Sequence, residues 1–272
     1  MLVVAALGGH ALTTPDRLEA AAATLATIAR DHELIVTHGN GPQAGDLARG
    51  GAALDDVDAE SQGLIGARIE RALRARLGGA GAREVATLVT HVVVDPSDPA
   101  FATPTKPIGP REGGRLVASP RPLAVVERRA VELLVGAGHV VVCAGGGGIP
   151  VVTHADGALE PVEAVIDKDR TSSLLARALG AGELLLLTDV DGVYTGWGEP
   201  GARRLRRASP AALRRGSFAA GSMGPKVEAA GDFVDATGGV AVIAATDDGL
   251  AASRGEAGTV VTPDAPGLEY WG

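Results

Sequence analysis

LVVAALGGHALTTPDRLEAAAATLATIARDHELIVTHGN (2–40) is the stretch on which the fold turns. Its first six residues, LVVAAL (2–7), are apolar without a break and stop at Gly8-Gly9. A run that short and that continuous fits a strand covered on both faces. Pro15–Arg30 follows with a helical pattern, and ELIVTH (33–38) is a second short apolar run. Strand, glycine turn, helix and strand in that order form the repeating unit of a parallel sheet.

The alternation continues. VATLVTHVVV (85–94), HVVVCA (139–144), ELLLLTD (183–189) and VAVIAA (240–245) read as further strands, and 59–77, 123–136, 171–179 and 225–236 as helices between them. An α/β fold with a mainly parallel central sheet and helices on both sides is expected, with binding loops gathered at the carboxyl ends of the strands. The proline-rich stretch 95–122 reads as a protruding loop or small lid. A boundary near 160–168 divides the chain into lobes of 1–165 and 166–272.

The formal charge of −8 and pI near 5.3 argue against nucleic acid and anionic membranes as partners. An anionic substrate would need a local positive potential built by the site itself. The single cysteine, Cys143, excludes a disulfide framework and lies in an apolar run as a buried small hydrophobe. The N-terminus reads as a strand rather than a signal peptide, and no apolar run approaches the length of a membrane span. A cytoplasmic location is the expectation.

Several turns carry chemistry. Gly8 and Gly9 let the backbone approach an anion, and His10 fits either a polar turn residue or a donor to a bound oxyanion. THGNGPQ (37–43) holds Asn40, the only asparagine, and Gln43, one of two glutamines; Gly39 and Gly41 flank the asparagine. The other glutamine, Gln62, lies in AESQGLIG (59–66), whose small residues equally suit dimer packing. AGGGGIPVV (144–152) is not a dinucleotide fingerprint, because no helix follows it, and no P-loop motif occurs. Four glycines after a strand fit either close approach to a ligand or a plain loop. TDVDGVY (188–194) supplies Asp189 and Asp191, which fit either a water-mediated Mg²⁺ contact or a turn. Arg203–Arg215 reads as a solvated face or a nucleotide-side patch.

The scarce residues are the sharpest signal. The chain has three lysines, Lys106, Lys168 and Lys226, against twenty-two arginines. Each lysine stands in a polar motif: PTKPIGP, IDKD and GSMGPK. A compact ammonium on a flexible stem suits a moving phosphoryl group better than a planar guanidinium does. Asp167 and Asp169 flank Lys168. Met223, the only methionine besides Met1, suits contact with a purine ring, and Lys226 near a helix N-terminus makes a phosphate site.

ALGGHAL, THGNGPQ, AESQGLIG, DPSDPAFATPTKPIGP, SPRP, AGGGGIPV, EAVIDKD, LLLLTDVDGVYT, FAAGSMGPKVEAA and GTVV run in order from residue 6 to 261. In these motifs the chain resembles the carbamate kinases of the amino acid kinase family. The resemblance implies an open αβα sandwich and a homodimer formed through the N-terminal lobes. It implies the reaction ATP + carbamate ⇌ ADP + carbamoyl phosphate, with Mg²⁺ held mainly by the nucleotide phosphates. It places Lys168 and Lys226 on the transferring group, Asp169 as their organiser and Lys106 reaching in from the protruding segment. Gly8, Gly9, His10, Gly39, Asn40, Gly145 and Gly146 would line the acceptor site in the N-terminal lobe. Asp189, Asp191, Tyr194, Gly221, Ser222, Met223, Gly224 and Pro225 would border the nucleotide in the C-terminal lobe. Two departures stand out. His10 replaces the family's usual asparagine, and the segment between Pro110 and Ser119 is shorter than usual. Both fall on the acceptor side, so a kinase for another small acid or phosphorylated acceptor, or a nucleotide sensor without catalysis, stays open.

Overall fold

The structure, a computed structural model, describes residues 1–40, 52–79, 83–108, 115–218 and 223–272. Gly41, Gln43, Gly221, Ser222 and residues 110–114 of the shortened segment lie outside the described residues. In chain order the strands are β1 (Leu2–Leu7), β2 (Glu33–His38), β3 (Val85–Thr87), β4 (His91–Val94), β5 (Lys106–Ile108), β6 (Arg115–Val117), β7 (Pro122–Val125) and β8 (Val140–Val142). They continue as β9 (Ile149–Thr153), β10 (Leu159–Pro161), β11 (Glu183–Thr188), β12 (Tyr194–Thr195), β13 (Arg203–Ala208), β14 (Val240–Ala245), β15 (Thr259–Val261) and β16 (Leu268–Tyr270). The α-helices are α1 (Pro15–Asp31), α2 (Leu54–Leu77), α3 (Arg128–Gly136), α4 (Lys168–Ala178), α5 (Pro210–Arg214), α6 (Met223–Thr237) and α7 (Gly249–Ser253).

The central sheet runs β12-β13-β15-β14-β11-β1-β2-β8-β3, with β16 added beside β13. From β14 through β3 every pairing is parallel. Alternation along β1 feeds two cores. Val4 and Ala6 pack with Leu175, Phe233 and Val234 on the α4/α6 side. Val3, Ala5 and Leu7 pack with Leu25, Ile65 and Ile69 on the α1/α2 side. Helices therefore cover both faces, which is the expected αβα sandwich. The two halves of the chain share this sheet, with β1 and β11 as the seam.

Three boundaries differ from the sequence reading. The run 85–94 is two strands, because the chain leaves the central sheet at 88–90 and β4 enters a second sheet, β10-β9-β4-β7. Gln62 fixes the break. Its Oε1 accepts from the Thr90 N–H at 3.0 Å and the Thr90 hydroxyl at 2.9 Å, and its Nε2 donates to the Thr90 carbonyl at 3.2 Å. The first part of 123–136 is strand β7, whose Val125 pairs with Val92, so the helix begins only at Arg128. Helix α2 begins at Leu54, before the expected Ala59.

At the opposite end of the sheet from the glycine turns, Glu183 is buried with Oε1 unpartnered, and burial raises its carboxyl to about 7. The unfolded chain ionises this group from about pH 4.5 upward while the native state resists until about 7, so stability falls across that window. Glu183→Gln is expected to leave the melting temperature at pH 4 unchanged and to raise it at pH 8. The gain is on the order of 2–3 kcal/mol. Equal melting shifts at both pH values would contradict this.

Candidate active site

The carboxyl ends of β1, β2, β8 and β11 open on one side of the sheet, and the polar turns collect there. Asp167 caps α4. Its Oδ1 accepts from the N–H groups of Asp169 and Arg170 at 3.0 and 3.4 Å. The cap fixes the first turn, in which Lys168 and Asp169 stand side by side. Asp169 is 2% exposed and accepts from two ammonium groups, Lys168 Nζ on Oδ1 at 2.6 Å and Lys226 Nζ on Oδ2 at 2.9 Å. Lys226 comes from the first described turn of α6. The third lysine, Lys106 at the start of β5, reaches Asp167 Oδ2 at 3.4 Å. All three ammonium groups thus meet one turn of backbone at residues 167–169.

Electrostatics keep the Asp169 carboxylate ionised. Burial pushes the Asp169 carboxyl up, but Lys168 and Lys226 outweigh it and hold it down at about 2. Burial lowers the Lys168 pKa and Lys226 adds to the lowering, while Asp169 works against both. His38, beneath Lys168, is lowered to about 4, mainly by burial. Its Nδ1 faces the Gly39 carbonyl at 3.1 Å. A carbonyl only accepts, so Nδ1 carries the proton of the neutral ring.

The glycine turns close around Lys168. A Cβ on Gly39 would stand 3.0 Å from Gly9 N and 3.4 Å from Lys168 Cδ. Gly146 has φ of 68°, and a Cβ there would overlap the Asn40 amide at 2.3 Å. Asn40 donates through Nδ2 to Ser61 Oγ at 2.9 Å and Asp58 Oδ1 at 3.2 Å. Gly9 and Gly145 each open a one-turn 3-10 helix, so the helix itself leaves their N–H groups unused. Gly8 and Gly39 differ from the expectation. Their N–H groups bond Leu187 O at 2.8 Å and Leu7 O at 2.9 Å, extending the sheet rather than facing an anion.

Beside Lys226 lies a cavity of about 740 Å³, lined in part by Thr188, Asp189, Tyr194, Trp197, Phe218 and Met223 as well as Lys226 itself. Its size falls in the usual range for small-molecule sites. Asp189 and Met223, two of the residues expected to border the nucleotide, both line this cavity. Asp191 does not line this cavity. Its carboxylate is committed to the Tyr194 hydroxyl at 2.9 Å and to Arg204 at 2.5 Å, so it braces the turn. Gly224 lines a neighbouring groove with Arg121 and Glu228, and Pro225 sits within the first described turn of α6 without lining the cavity. His10 is exposed, and its Nδ1 stands 3.8 Å from Asp189 Oδ2 across the mouth between the two halves.

The sequence reading missed Trp197, Phe218, His38 and Asp58. Trp197 had a signal, being one of two tryptophans in a chain that is 3% aromatic. Asp58 had none, since acidic residues at a helix start are ordinary. Only the fold shows its carboxyl buried against Asn40, where burial raises it to about 7.

A sheet whose strand ends hold two ammonium groups on one buried carboxylate and a third on the neighbouring Asp167, next to a cavity of nucleotide size, defines a class of protein that handles phosphoryl groups. The family model described as the amino acid kinase family matches residues 1–245, and the chain belongs to that family. Within it the chain is similar to carbamate kinases. That of Rhizobium meliloti is 43% identical over 96% of this chain and 93% of that protein, and that of Haemophilus influenzae is 40% identical over 100% of each. The solved carbamate kinase of Giardia lamblia bound to AMP-PNP superposes with a TM-score of 0.88 at 32% identity, covering 96% of this chain and 98% of that one.

Proposed function

We propose that this protein is a carbamate kinase, interconverting ATP and carbamate with ADP and carbamoyl phosphate. The observation that carries the reading is the Asp169 bridge between Lys168 and Lys226, which lies between the glycine turns and the cavity. On this reading residues 1–165 hold the acceptor and 166–272 the nucleotide. Met223, Tyr194 and Trp197 contact the base, and Gly9, Gly145, Gly146 and Asn40 surround the acceptor.

Phosphoryl transfer asks the protein for in-line positioning and for charge over the equatorial oxygens. A carbamate oxygen attacks the γ-phosphorus as the bond to the β–γ bridging oxygen breaks, and ADP leaves with that oxygen. The nucleophile is already anionic, so no general base is required. Lys226 lines the cavity and also touches Asp169, so its ammonium can follow the phosphoryl group from nucleotide to acceptor. Lys168 faces the glycine side and balances the charge on the acceptor. Asp169 keeps the two cations apart from each other and aimed into one space.

Among the described residues no group of three His, Cys, Asp or Glu side chains could cage a metal, and Asp191 is already engaged. Asp189 and Glu199 do line the cavity, which fits a Mg²⁺ carried mainly by the nucleotide phosphates with water between. Bound there, the ion would neutralise phosphate charge.

The homodimer implied by the resemblance is also part of the proposal. The outer side of α2 supports it, with Leu64 45% exposed and open space beyond Gly63. Among the described residues no helix is long and apolar enough to cross a membrane, and a cytoplasmic enzyme fits this.

One second reading has an observation behind it. His10, facing Asp189, adds an imidazole to the acceptor side, which would suit a different small acid. Incubation with ADP and carbamoyl phosphate, with ATP formation followed by a coupled assay, decides between the two. ATP formation is expected. ADP release with another acid, and none with carbamate, would transfer the assignment to that acid.

A further inference from the structure

Among the described residues two charge links join the proline-rich segment to the lysine-bearing helices, and the proposed chemistry uses only Lys106–Asp167. The second link centres on Glu228, two residues beyond Lys226 in α6. Its Oε2 accepts from Arg170 Nε at 3.2 Å and Nη2 at 2.8 Å, and its Oε1 accepts from Arg121 Nη2. Arg170 directly follows Asp169 in α4. Arg121 belongs to SPRP, and its backbone N–H donates to Asp98 Oδ2 at 2.9 Å. The other oxygen of Asp98 accepts from Ala100 N at 2.8 Å, at the start of the same segment.

An isolated surface ion pair contributes little. This one is a three-member network on side chains only 29% and 25% exposed, Glu228 and Arg170, and both carboxylate oxygens are occupied. Burial works against the charge on Glu228, yet the arginines still hold its carboxyl below the usual range. Arg121 is also mechanically close to Lys106. Lys106 pairs with Val117 across the β5–β6 hairpin, and Thr105 N donates to Val117 O at 3.1 Å. Arg121 stands four residues beyond Val117, and between them Val165 N donates to Ala118 O at 2.9 Å, tying the strand to the approach of α4. Displacing Arg121 therefore displaces the strand on which Lys106 is registered.

We propose that Arg121 and Glu228 are positioning residues for phosphoryl transfer: through Arg170 they fix α6 against α4 and hold the segment bearing Lys106 over the turn at 167–169. Neither side chain is bonded to the lysine cluster itself. Arg121 acts on where Lys106 sits, and Glu228, through Arg170, on where Lys226 sits. The proposal rests on the kinase reading for its kinetic readout and on the fold alone for its structural one.

The test uses the full chain with Arg121→Gln, Glu228→Gln, Lys106→Ala and the Arg121→Gln/Lys106→Ala double variant. Arg121 is 62% exposed, so its variant folds even if Glu228→Gln proves too disruptive. Each positioning variant is expected to lower kcat by about tenfold, the scale of a small misplacement, with ADP affinity unchanged. In the Lys106→Ala background, Arg121→Gln should cost less than about twofold more, because the group it positions is gone. Arg121→Lys should restore part of the loss. Amide exchange should quicken by about threefold or more in peptides spanning 98–108, while β1 and β11 keep their protection. Wild-type turnover and wild-type exchange in Arg121→Gln would overturn the proposal, as would losses that multiply in the double variant. A wild-type enzyme inert toward carbamoyl phosphate would count against the kinase reading alone, and the exchange measurement would still decide the positioning role.

Discussion

Asp169→Ala is expected to lower kcat by about 10³-fold or more and to be the most destabilising single change in the site. The carboxylate is 2% exposed, and each oxygen holds one ammonium, at 2.6 and 2.9 Å. Removing it leaves two cations facing each other in a space that already disfavours the charge on Lys168. Breaking a buried pair in this way costs about 3–5 kcal/mol, which in a chain of this size lowers the melting temperature by about 10 °C. The free ammonium groups can respond by splaying apart or by losing a proton. Both remove positive charge from the place where the phosphoryl group must sit. Deprotonation leaves a signature, because the residual activity should then fall as pH rises. Asp169→Asn keeps the shape and loses the charge, so it should share the kinetic defect with a smaller loss of stability. Steady-state kinetics from pH 6 to 9 and thermal melts test this. Turnover within tenfold of wild type in Asp169→Asn would mean that the carboxylate does not organise the lysines.

The lysine cluster was legible in the sequence because of scarcity. Three lysines among twenty-two arginines, each in a polar motif, pointed to one site, and the fold brings all three to the turn at 167–169. The parallel sheet was legible because strands buried on both faces read as unbroken apolar runs. The run 85–94 misled for the same reason. Apolar continuity does not reveal where a chain leaves one sheet for another, and the break at Thr90 is made by Gln62, 28 positions away. Asp191 was ambiguous because an acidic pair after a strand fits both a ligand and a turn. In the fold its carboxylate bonds Arg204 of β13. Gly8 and Gly39 lie just past the ends of β1 and β2, but which N–H groups remain for a ligand depends on strand pairing that the sequence does not display. Asp58 and Glu228 gave no local signal. Their environments are assembled from residues far along the chain, and only packing reveals them.

Lys226→Ala separates chemistry from stability in the same cluster. Lys226 is 8% exposed, and it alone among the three lysines both lines the cavity and touches Asp169. Its loss takes away one donor from the transferring group, and kcat should fall by about 10²–10³-fold. Asp169 still keeps Lys168 at 2.6 Å, so no buried charge is stranded and the melting temperature should drop less than in Asp169→Ala. ADP affinity should change by less than about tenfold, because Tyr194, Trp197 and Met223 remain to hold the base. Lys226→Arg should not rescue turnover. A guanidinium is wider and planar, and the pocket beside Asp169 was filled by a single ammonium on a flexible stem. Full activity in Lys226→Arg would show that any cation suffices there, and the scarcity of lysine in this chain would then need another cause. Near-wild-type kcat in Lys226→Ala would remove this ammonium from the reaction and leave Lys168 to act without it.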